Sequence, residues 1–236
     1  MRAVMDNVKT DIIHCLQTLF MKKIFYFLGF TALIILSAFI FLSYTQPGKR
    51  IKALYLPKAA ISQVKATPAM DDKLLQKIAD AKTFTTQKAY NTTTAFLIDM
   101  SLPSGSNRFM VIDLQKDSLL NSAPVTHGRC NENWLEGRKY GNTVGCGCTS
   151  LGKYKIGNSY QGRFGLAYKL HGLEQTNNKA FERFVVLHAH ECVPDKAVAE
   201  DICQSDGCPT VSPGFLKYLK TIINRSEKPV LLWIYE

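Results

Sequence analysis

The sequence predicts a mainly β domain with a few short helices, preceded by one transmembrane helix. Three observations support this prediction. Residues 24–44 form an apolar run without a charged side chain. From about residue 92 onward, short segments rich in β-branched and aromatic residues alternate with turns that contain Gly or Pro, which is typical of strands. Apolar side chains at helical spacing follow residues 71 and 212.

The apolar run at 24–44 is long enough to cross a bilayer. A helix of this length spans about 30 Å, the thickness of the hydrocarbon layer. Lys22 and Lys23 precede it and favour a cytoplasmic N-terminus. A cleaved signal peptide, which gives a secreted product, is the alternative. Its apolar core would be shorter and would end at a small-residue site, which residues 43–46 do not provide.

The chain therefore divides into four segments. Residues 1–23 form a cytoplasmic N-terminus. Within it, Met21 is typical of a translation start, and the residues before it are typical of an upstream extension. Residues 24–44 are the anchor. Residues 45–90 contain spaced prolines and then one short helix, and form a linker into the β domain at 91–236.

Strands are predicted along the whole β domain. Segments 92–102 and 108–115 form a hairpin around Pro103-Ser104-Gly105. Further strands are predicted at 122–128, 154–157, 164–173, 183–190 and 229–235. A helix begins at Ser212-Pro213, because a hydroxyl N-cap followed by Pro in the first turn is a helix start signal.

The chain carries a formal net charge of +10 and has a pI of about 9.2. This balance favours anionic partners such as membrane headgroups or an acidic cell-wall polymer. The Lys and Arg residues are scattered and form no dense tract, so binding to nucleic acid is not predicted. The sequence indicates no oligomeric state.

The chain has seven cysteines, and six of them lie between Cys130 and Cys208. Their clustering beyond the apolar run favours an oxidising compartment with at least one disulfide. Candidate bridges join Cys192 with Cys203, and Cys130 with either Cys146 or Cys148. If Cys208 stays free, at most two bridges form and one further cysteine is left over.

The same cysteines, with His188 and His190, are an alternative set of zinc ligands. Their spacing argues against that alternative, because Cys-x-Cys and His-x-His lack the paired two-residue gaps of zinc ribbons. No metal or other cofactor is therefore predicted.

A cysteine in a glycine turn and a histidine at the end of an apolar strand form a candidate nucleophile and base. Acyl transfer by a thiol needs a base, an exposed turn and N–H donors for the oxyanion. Gly207 lets the backbone approach a substrate, and Pro209 fixes φ after Cys208. The strand that ends at His188 is a rigid mount for a base. Taken alone, each residue is equally typical of a packed thiol or a structural histidine.

Several motifs then follow one another in a recognisable order. They are 108–115, Thr126-His127-Gly128-Arg129, 149–154, 162–190 and Ser205-Asp206-Gly207-Cys208-Pro209. From about Phe96 to Tyr235 the chain resembles the YkuD-type L,D-transpeptidases. It is most similar to the murein L,D-transpeptidase catalytic domain branch, whose active-site motif is Ser-x-Gly-Cys-Pro.

The resemblance implies a β-sandwich or barrel-like catalytic domain in the periplasm, attached to a bacterial inner membrane by one span. Cys208 is then the nucleophile and His188 its base. Ser205 and Gly207 shape the nucleophile loop, and the Cys208 N–H contributes to the oxyanion hole. Cys208 attacks the L-to-D bond of a peptidoglycan tetrapeptide stem, releases D-Ala and passes the acyl group to an amine of a second stem. With water as acceptor, the enzyme is an L,D-carboxypeptidase.

Asp206 departs from the family pattern, which has His or an aromatic residue at that position. An acidic group beside the thiol opposes thiolate formation unless it points away or orients a histidine. A membrane-tethered wall-binding module without turnover is therefore the non-enzyme alternative. His127, Arg129, His190 and Asp206 are the candidate substrate-binding residues.

Overall fold

The computed structural model describes Ser37 and residues 70–236. The predicted N-terminal segment, the predicted anchor apart from Ser37, and most of the predicted linker lie outside the described residues. Within the described part, no helix is both long and apolar enough to cross a bilayer.

The described chain is mainly β with two helices, as the sequence predicts. In chain order its elements are α1 (Asp72–Gln87), β1 (Thr94–Asp99), β2 (Phe109–Asp113), β3 (Ser118–Ala123), β4 (Gly152–Gly162), β5 (Gly165–Gly172), β6 (Val186–Ala189), β7 (Thr210–Val211), α2 (Pro213–Arg225) and β8 (Leu231–Tyr235). The strands form one eight-stranded sheet in the order β3-β2-β1-β8-β4-β5-β6-β7. The β1–β8 and β6–β7 pairs are parallel, and the others are antiparallel.

The two edges of this sheet come together beyond β3. The Thr126 N–H donates to the Thr210 carbonyl of β7 at 3.0 Å. Two residues later, Gly128 forms an isolated bridge with Ser205. The segment after β3 therefore bonds to the opposite edge strand and to the loop that precedes it.

Apolar burial on both faces stabilises the central strands. On β1, Phe96 and Ile98 join the core on the α2 side, whereas Ala95 and Leu97 join the core on the α1 side. All four side chains are fully buried. Burial of each large apolar side chain contributes about 1.5–3 kcal/mol. The helix α1, predicted within the linker segment, thus packs on the sheet.

Side-chain caps begin both helices. The Asp71 carboxylate accepts the Leu74 N–H at 2.8 Å, and the Ser212 hydroxyl accepts the Phe215 N–H at 3.2 Å. Such a cap supplies an acceptor to an N–H that has no partner within the helix. Pro213 occupies the first turn of α2, as predicted.

Several strand predictions differ from the structure. The strands predicted at 154–157 and 183–190 extend over Gly152–Gly162 and Val186–Ala189. The strand predicted at 122–128 lies earlier, at Ser118–Ala123. Pro124 follows it and has no N–H to continue the ladder with β2. The sequence also gave no indication of β7, because two residues are too few to show a period.

Candidate active site

The sheet places His188 and Cys208 at one cavity although they are distant in the chain. In the parallel pairing of β6 with β7, His188 lies opposite Thr210. Thr210 follows Cys208 by two positions, so this register holds the Gly-Cys-Pro turn at the end of β7. Cys208, His188 and Thr210 line a cavity of about 400 Å³.

The turn before Cys208 requires glycine for two reasons. Gly207 has a φ of +105°, a conformation that residues with side chains rarely adopt. A Cβ at this position would also lie 2.5 Å from the Cys148 carbonyl oxygen. The backbone at Cys148 therefore sets the path of the nucleophile loop.

Three hydroxyl groups converge on the Cys208 carbonyl oxygen. Ser205 Oγ lies 2.7 Å away, Thr126 Oγ1 3.1 Å and Thr210 Oγ1 3.4 Å. Thr126 Oγ1 also accepts the Thr210 N–H at 3.2 Å. These contacts connect the segment after β3 to the nucleophile loop and fix the carbonyl, so the peptide that follows Cys208 has little freedom to turn.

One backbone N–H beside the thiol is available to a ligand. The Gly207 N–H donates to Ser205 Oγ at 3.2 Å, so it is already engaged. The Cys208 N–H donates to no acceptor in the part of the chain that the structure describes. This amide is therefore the candidate oxyanion donor, while Ser205 and Gly207 shape the loop around it.

Cys208 is a free thiol at rest. Its Sγ lies 3.8 Å from the Phe184 carbonyl oxygen, a long contact. Burial raises the pKa of the thiol, and the Val186 backbone N–H lowers it. Asp206 raises the pKa further, and Arg183 lowers it. Because the effect of burial is the largest, the resting group is the protonated thiol.

His188 is a neutral imidazole of one defined tautomer. Its Nδ1 lies 3.1 Å from the Ala189 carbonyl, which can only accept, so Nδ1 carries the proton. Nε2 then has the lone pair and accepts from Thr210 Oγ1 at 3.0 Å. Burial lowers the pKa of His188, the Ala189 carbonyl raises it and His190 lowers it. No hydrogen bond joins His188 to Cys208 among the described residues.

Phe164, near the turn between β4 and β5, covers the imidazole. Its ring stacks on His188 with a centroid separation of 5.0 Å and an interplanar angle of 15°. The same ring meets His190 edge-on at 5.5 Å. His190 lines the cavity, and its Nδ1 accepts the Cys192 N–H at 3.1 Å. Phe164 thus limits both the motion of His188 and its contact with water.

Asp206 forms an ion pair with Arg129 at the cavity mouth. The Arg129 Nε donates to the Asp206 carboxylate at 2.8 Å, and both residues line the cavity. The Arg129 N–H also donates to the Ser205 carbonyl at 2.9 Å. The acidic side chain beside the thiol is therefore paired with a cation of the neighbouring segment.

His127 lies in the interior, away from the cavity lining. Its Nδ1 is 3.3 Å from Arg108 Nη2. Burial and the charge of Arg108 lower the pKa of His127 to about 4. Its backbone carbonyl accepts the Ser205 N–H at 2.9 Å. His127 thus contacts the nucleophile loop through its main chain, and its ring packs against Arg108.

Two disulfides flank the nucleophile loop. One joins Cys192 with Cys203, and both residues line the cavity. The other joins Cys130 with Cys148, the residue whose carbonyl packs against Gly207. Cys146 is the second free thiol of the described residues, next to that bridge. In residues 70–236, no group of three or more His, Cys, Asp or Glu side chains is arranged to hold a metal ion.

The family model of the L,D-transpeptidase catalytic domain, YkuD_2, matches residues 66–235. This chain belongs to the L,D-transpeptidase catalytic domain family. The match includes every element from α1 to β8 and all the cavity residues described above. The predicted resemblance is therefore confirmed for this part of the chain.

Similar solved structures include two proteins of low sequence identity to this chain. The helical cell shape determining protein Pgp2 from Campylobacter jejuni is 12% identical, with a TM-score of 0.40; the match covers 70% of this chain and 55% of that one. The LD transpeptidase LdtMt1 in complex with imipenem is 11% identical, with a TM-score of 0.37; the match covers 61% of this chain and 59% of that one. This chain therefore spans less than two thirds of either. Among curated proteins, none matches significantly.

Several residues of this L,D-transpeptidase domain have places in the site that sequence reasoning missed. Thr126 and Thr210 bind the Cys208 carbonyl, and Thr210 also contacts the His188 ring. Phe164 stacks on that ring, and Arg183 lies close to Gly207. The available signal was position in the sequence, since Thr126 begins one of the motifs and Thr210 directly follows Pro209.

Proposed function

We propose that this domain is a peptidoglycan-modifying cysteine L,D-transpeptidase in which Cys208 is the nucleophile and His188 the base. One observation carries the proposal. A free thiol and a neutral imidazole line the same cavity, beside a backbone N–H that has no acceptor among the described residues. Membership of the L,D-transpeptidase family supports the same chemistry.

The resting contacts of the two groups define the first step. The thiol leaves its long contact with the Phe184 carbonyl, and its proton passes to His188 Nε2 as sulfur attacks the carbonyl of the L-to-D bond. Nε2 is held at rest by the Thr210 hydroxyl at 3.0 Å. That hydroxyl releases Nε2 by turning to the Cys208 carbonyl, 3.4 Å away. A neutral base suits this step, because only the unprotonated nitrogen accepts a proton.

The tetrahedral intermediate carries negative charge on the former carbonyl oxygen. The Cys208 N–H donates to it. The hydroxyls of Ser205, Thr126 and Thr210 hold the neighbouring Cys208 carbonyl in place. Collapse breaks the peptide bond, and His188 returns its proton to the amine of the departing D-Ala. A thioester on Cys208 remains. An amine of a second stem then attacks the thioester and restores the thiol.

Two adjoining cavities favour an amine acceptor over water. The cavity that contains Cys208 shares Phe164 and His190 with a second cavity of about 580 Å³. The second cavity is lined by apolar residues such as Leu216 and by Lys217. A reaction that joins two stems needs room for two peptides near the nucleophile, whereas hydrolysis needs room for only one.

We also place the domain outside the cytoplasm, attached to the membrane by residues 24–44. The Cys192–Cys203 and Cys130–Cys148 bridges support an oxidising compartment. Labelling with a membrane-impermeant maleimide tests this placement. In whole cells with a permeable outer layer, it should modify the free thiols of this domain, and labelling only after lysis contradicts the placement.

The reaction is tested with disaccharide tetrapeptides and the full chain in detergent. Cys208→Ala should lower turnover by about 10⁴-fold or more, and His188→Gln by about 10²–10⁴-fold. Mass spectrometry of the products checks both, and Cys146→Ala, which removes the other free thiol of the described residues, is the matched control. Retained turnover in folded Cys208→Ala contradicts the mechanism.

The products also distinguish the alternatives. Crosslinked dimers with released D-Ala are the expected result. Uncrosslinked tripeptides alone would show an L,D-carboxypeptidase, and unchanged stems would favour a wall-binding module. A carbapenem should acylate Cys208 by the same attack on a carbonyl, which the intact mass of the protein reports.

A further inference from the structure

Arg183 has an unusual environment for a half-buried cation. Its Nη1 donates to the Gly141 carbonyl and to Ser150 Oγ, both at 2.9 Å. Its Nη2 donates to the Cys148 carbonyl. All three acceptors are neutral. The guanidinium is therefore held in one position without an anion among its hydrogen-bond partners.

Arg183 forms no ion pair among residues 70–236. The four ion pairs of the described chain involve Lys73, Lys82, Arg129 and Lys153 as cations. A charge removed from water normally acquires an opposite charge or loses stability. The charge of Arg183 is therefore available to an anion that forms only during the reaction.

Cys208 can supply this anion, because it follows Gly207, a residue whose backbone lies close to the Arg183 guanidinium. A Cβ on Gly207 would lie 3.2 Å from Arg183 Nη2, and Cys208 follows Gly207 directly. The support beneath the guanidinium is rigid, because Ser150 and Tyr154 are buried and bonded to one another at 2.8 Å. A cation fixed in this way stabilises a developing charge without reorganisation.

The backbone that follows Arg183 is shaped for the same sulfur. Phe184 has a φ of +56°, which is strained for a large side chain, and its ring is 82% exposed. The strained conformation gains nothing from burial of the ring. It does aim the Phe184 carbonyl at Sγ, and it precedes Val186, whose N–H lowers the pKa of the thiol.

We propose that Arg183 is a positioning residue whose fixed charge stabilises the thiolate and the oxyanion formed at Cys208. This inference rests on the proposed role of Cys208 as the nucleophile. His188 takes the thiol proton, so thiolate and imidazolium form together and Arg183 adds the second positive charge. The other ionisable groups near the sulfur are Asp206, paired with Arg129, and the neutral Tyr154.

The test measures the pH dependence of Cys208 alkylation by iodoacetamide, resolved by peptide mass spectrometry from the alkylation of Cys146. Arg183→Gln should slow alkylation at pH 7 by about 10-fold and move the profile to higher pH. Arg183→Lys keeps the charge and should recover most of the rate. Arg225→Gln removes a positive charge from the end of α2 and should match the wild type.

Each outcome decides the proposal. An unchanged profile in Arg183→Gln overturns it, and so does a Lys variant that is folded but as slow as the Gln variant. If Arg183→Gln does not fold, as circular dichroism would show, Arg183→Met takes its place as the variant without the charge, and an unchanged profile there overturns the proposal. Alkylation needs no muropeptide, so the two proposals fail in different assays. If the proposed function is wrong, the wild type shows no turnover of muropeptides although its Cys208 is still alkylated.

Discussion

The central strands and the active-site loops of this domain are held by different forces. In β1, Ala95, Phe96, Leu97 and Ile98 are all fully buried, and the contacts are apolar on both faces. The nucleophile loop is held by hydroxyl and backbone hydrogen bonds, an ion pair and a disulfide on each flank. Apolar burial is non-directional, whereas hydrogen bonds fix individual atoms.

This difference separates stability from geometry within one small domain. The strands tolerate changes that keep volume and polarity, because their energy depends on buried area. The loop depends on single atoms such as the Ser205 hydroxyl, 2.7 Å from the Cys208 carbonyl. Substitutions in the two regions should therefore change different observables, and three comparisons test that expectation.

The largest effect on stability is expected from Leu97→Ala in the core on the α1 side. Leu97 is fully buried, so the change leaves a cavity and should lower the free energy of unfolding by about 2–5 kcal/mol. Urea denaturation measures this loss. Turnover per folded molecule should stay near the wild-type value, and a loss of turnover without a loss of stability would show that the two regions are coupled.

A smaller effect on stability, with a larger effect on the site, is expected from removal of the Cys192–Cys203 bridge. The bridge closes a short loop between β6 and β7, and its loss should lower stability by about 2–3 kcal/mol. Both cysteines line the cavity, so the Cys192→Ala, Cys203→Ala double variant should also lose turnover. The rate of amide hydrogen exchange should rise at 190–205 but not in β1. An equal rise in both regions would show that the two regions are not held independently.

The smallest change in stability is expected from Asp206→Asn. An exposed ion pair contributes less than about 1 kcal/mol, so the unfolding midpoint should hardly move. Asp206 raises the pKa of Cys208, so its neutralisation should lower that pKa and speed alkylation at pH 7. Arg129→Gln leaves the carboxylate unpaired and should slow the same reaction. If both variants change the rate in the same direction, the effect is not electrostatic.

Local pattern was sufficient to predict much of the fold. The β1–β2 hairpin and the start of α2 at Ser212-Pro213 follow from residue types within a few positions. The helix α1, predicted from the apolar side chains at helical spacing after residue 71, begins at an Asp71 cap. The Ser-x-Gly-Cys-Pro turn identified the family, because that motif requires a particular backbone around Gly207.

The remaining features depend on contacts between distant segments. Thr126 reaches Cys208 only because the sheet brings β3 towards β7, and no periodicity encodes that approach. Cys130 pairs with Cys148 and leaves Cys146 free, a choice that depends on the path of the loop between them. Arg183 was predicted only as part of a strand, since its role depends on neutral acceptors far away in the chain.

The position of β8 between β1 and β4 has a consequence for how the chain is made. Ribosomes release β1 and β4 before β8, so the two strand edges that later pair with β8 have no partner in the nascent protein. Each presents a row of unpaired N–H and C=O groups to any neighbouring polypeptide. Until residues 231–235 emerge, the growing chain is most at risk of aggregation at the seam that later becomes the middle of its sheet.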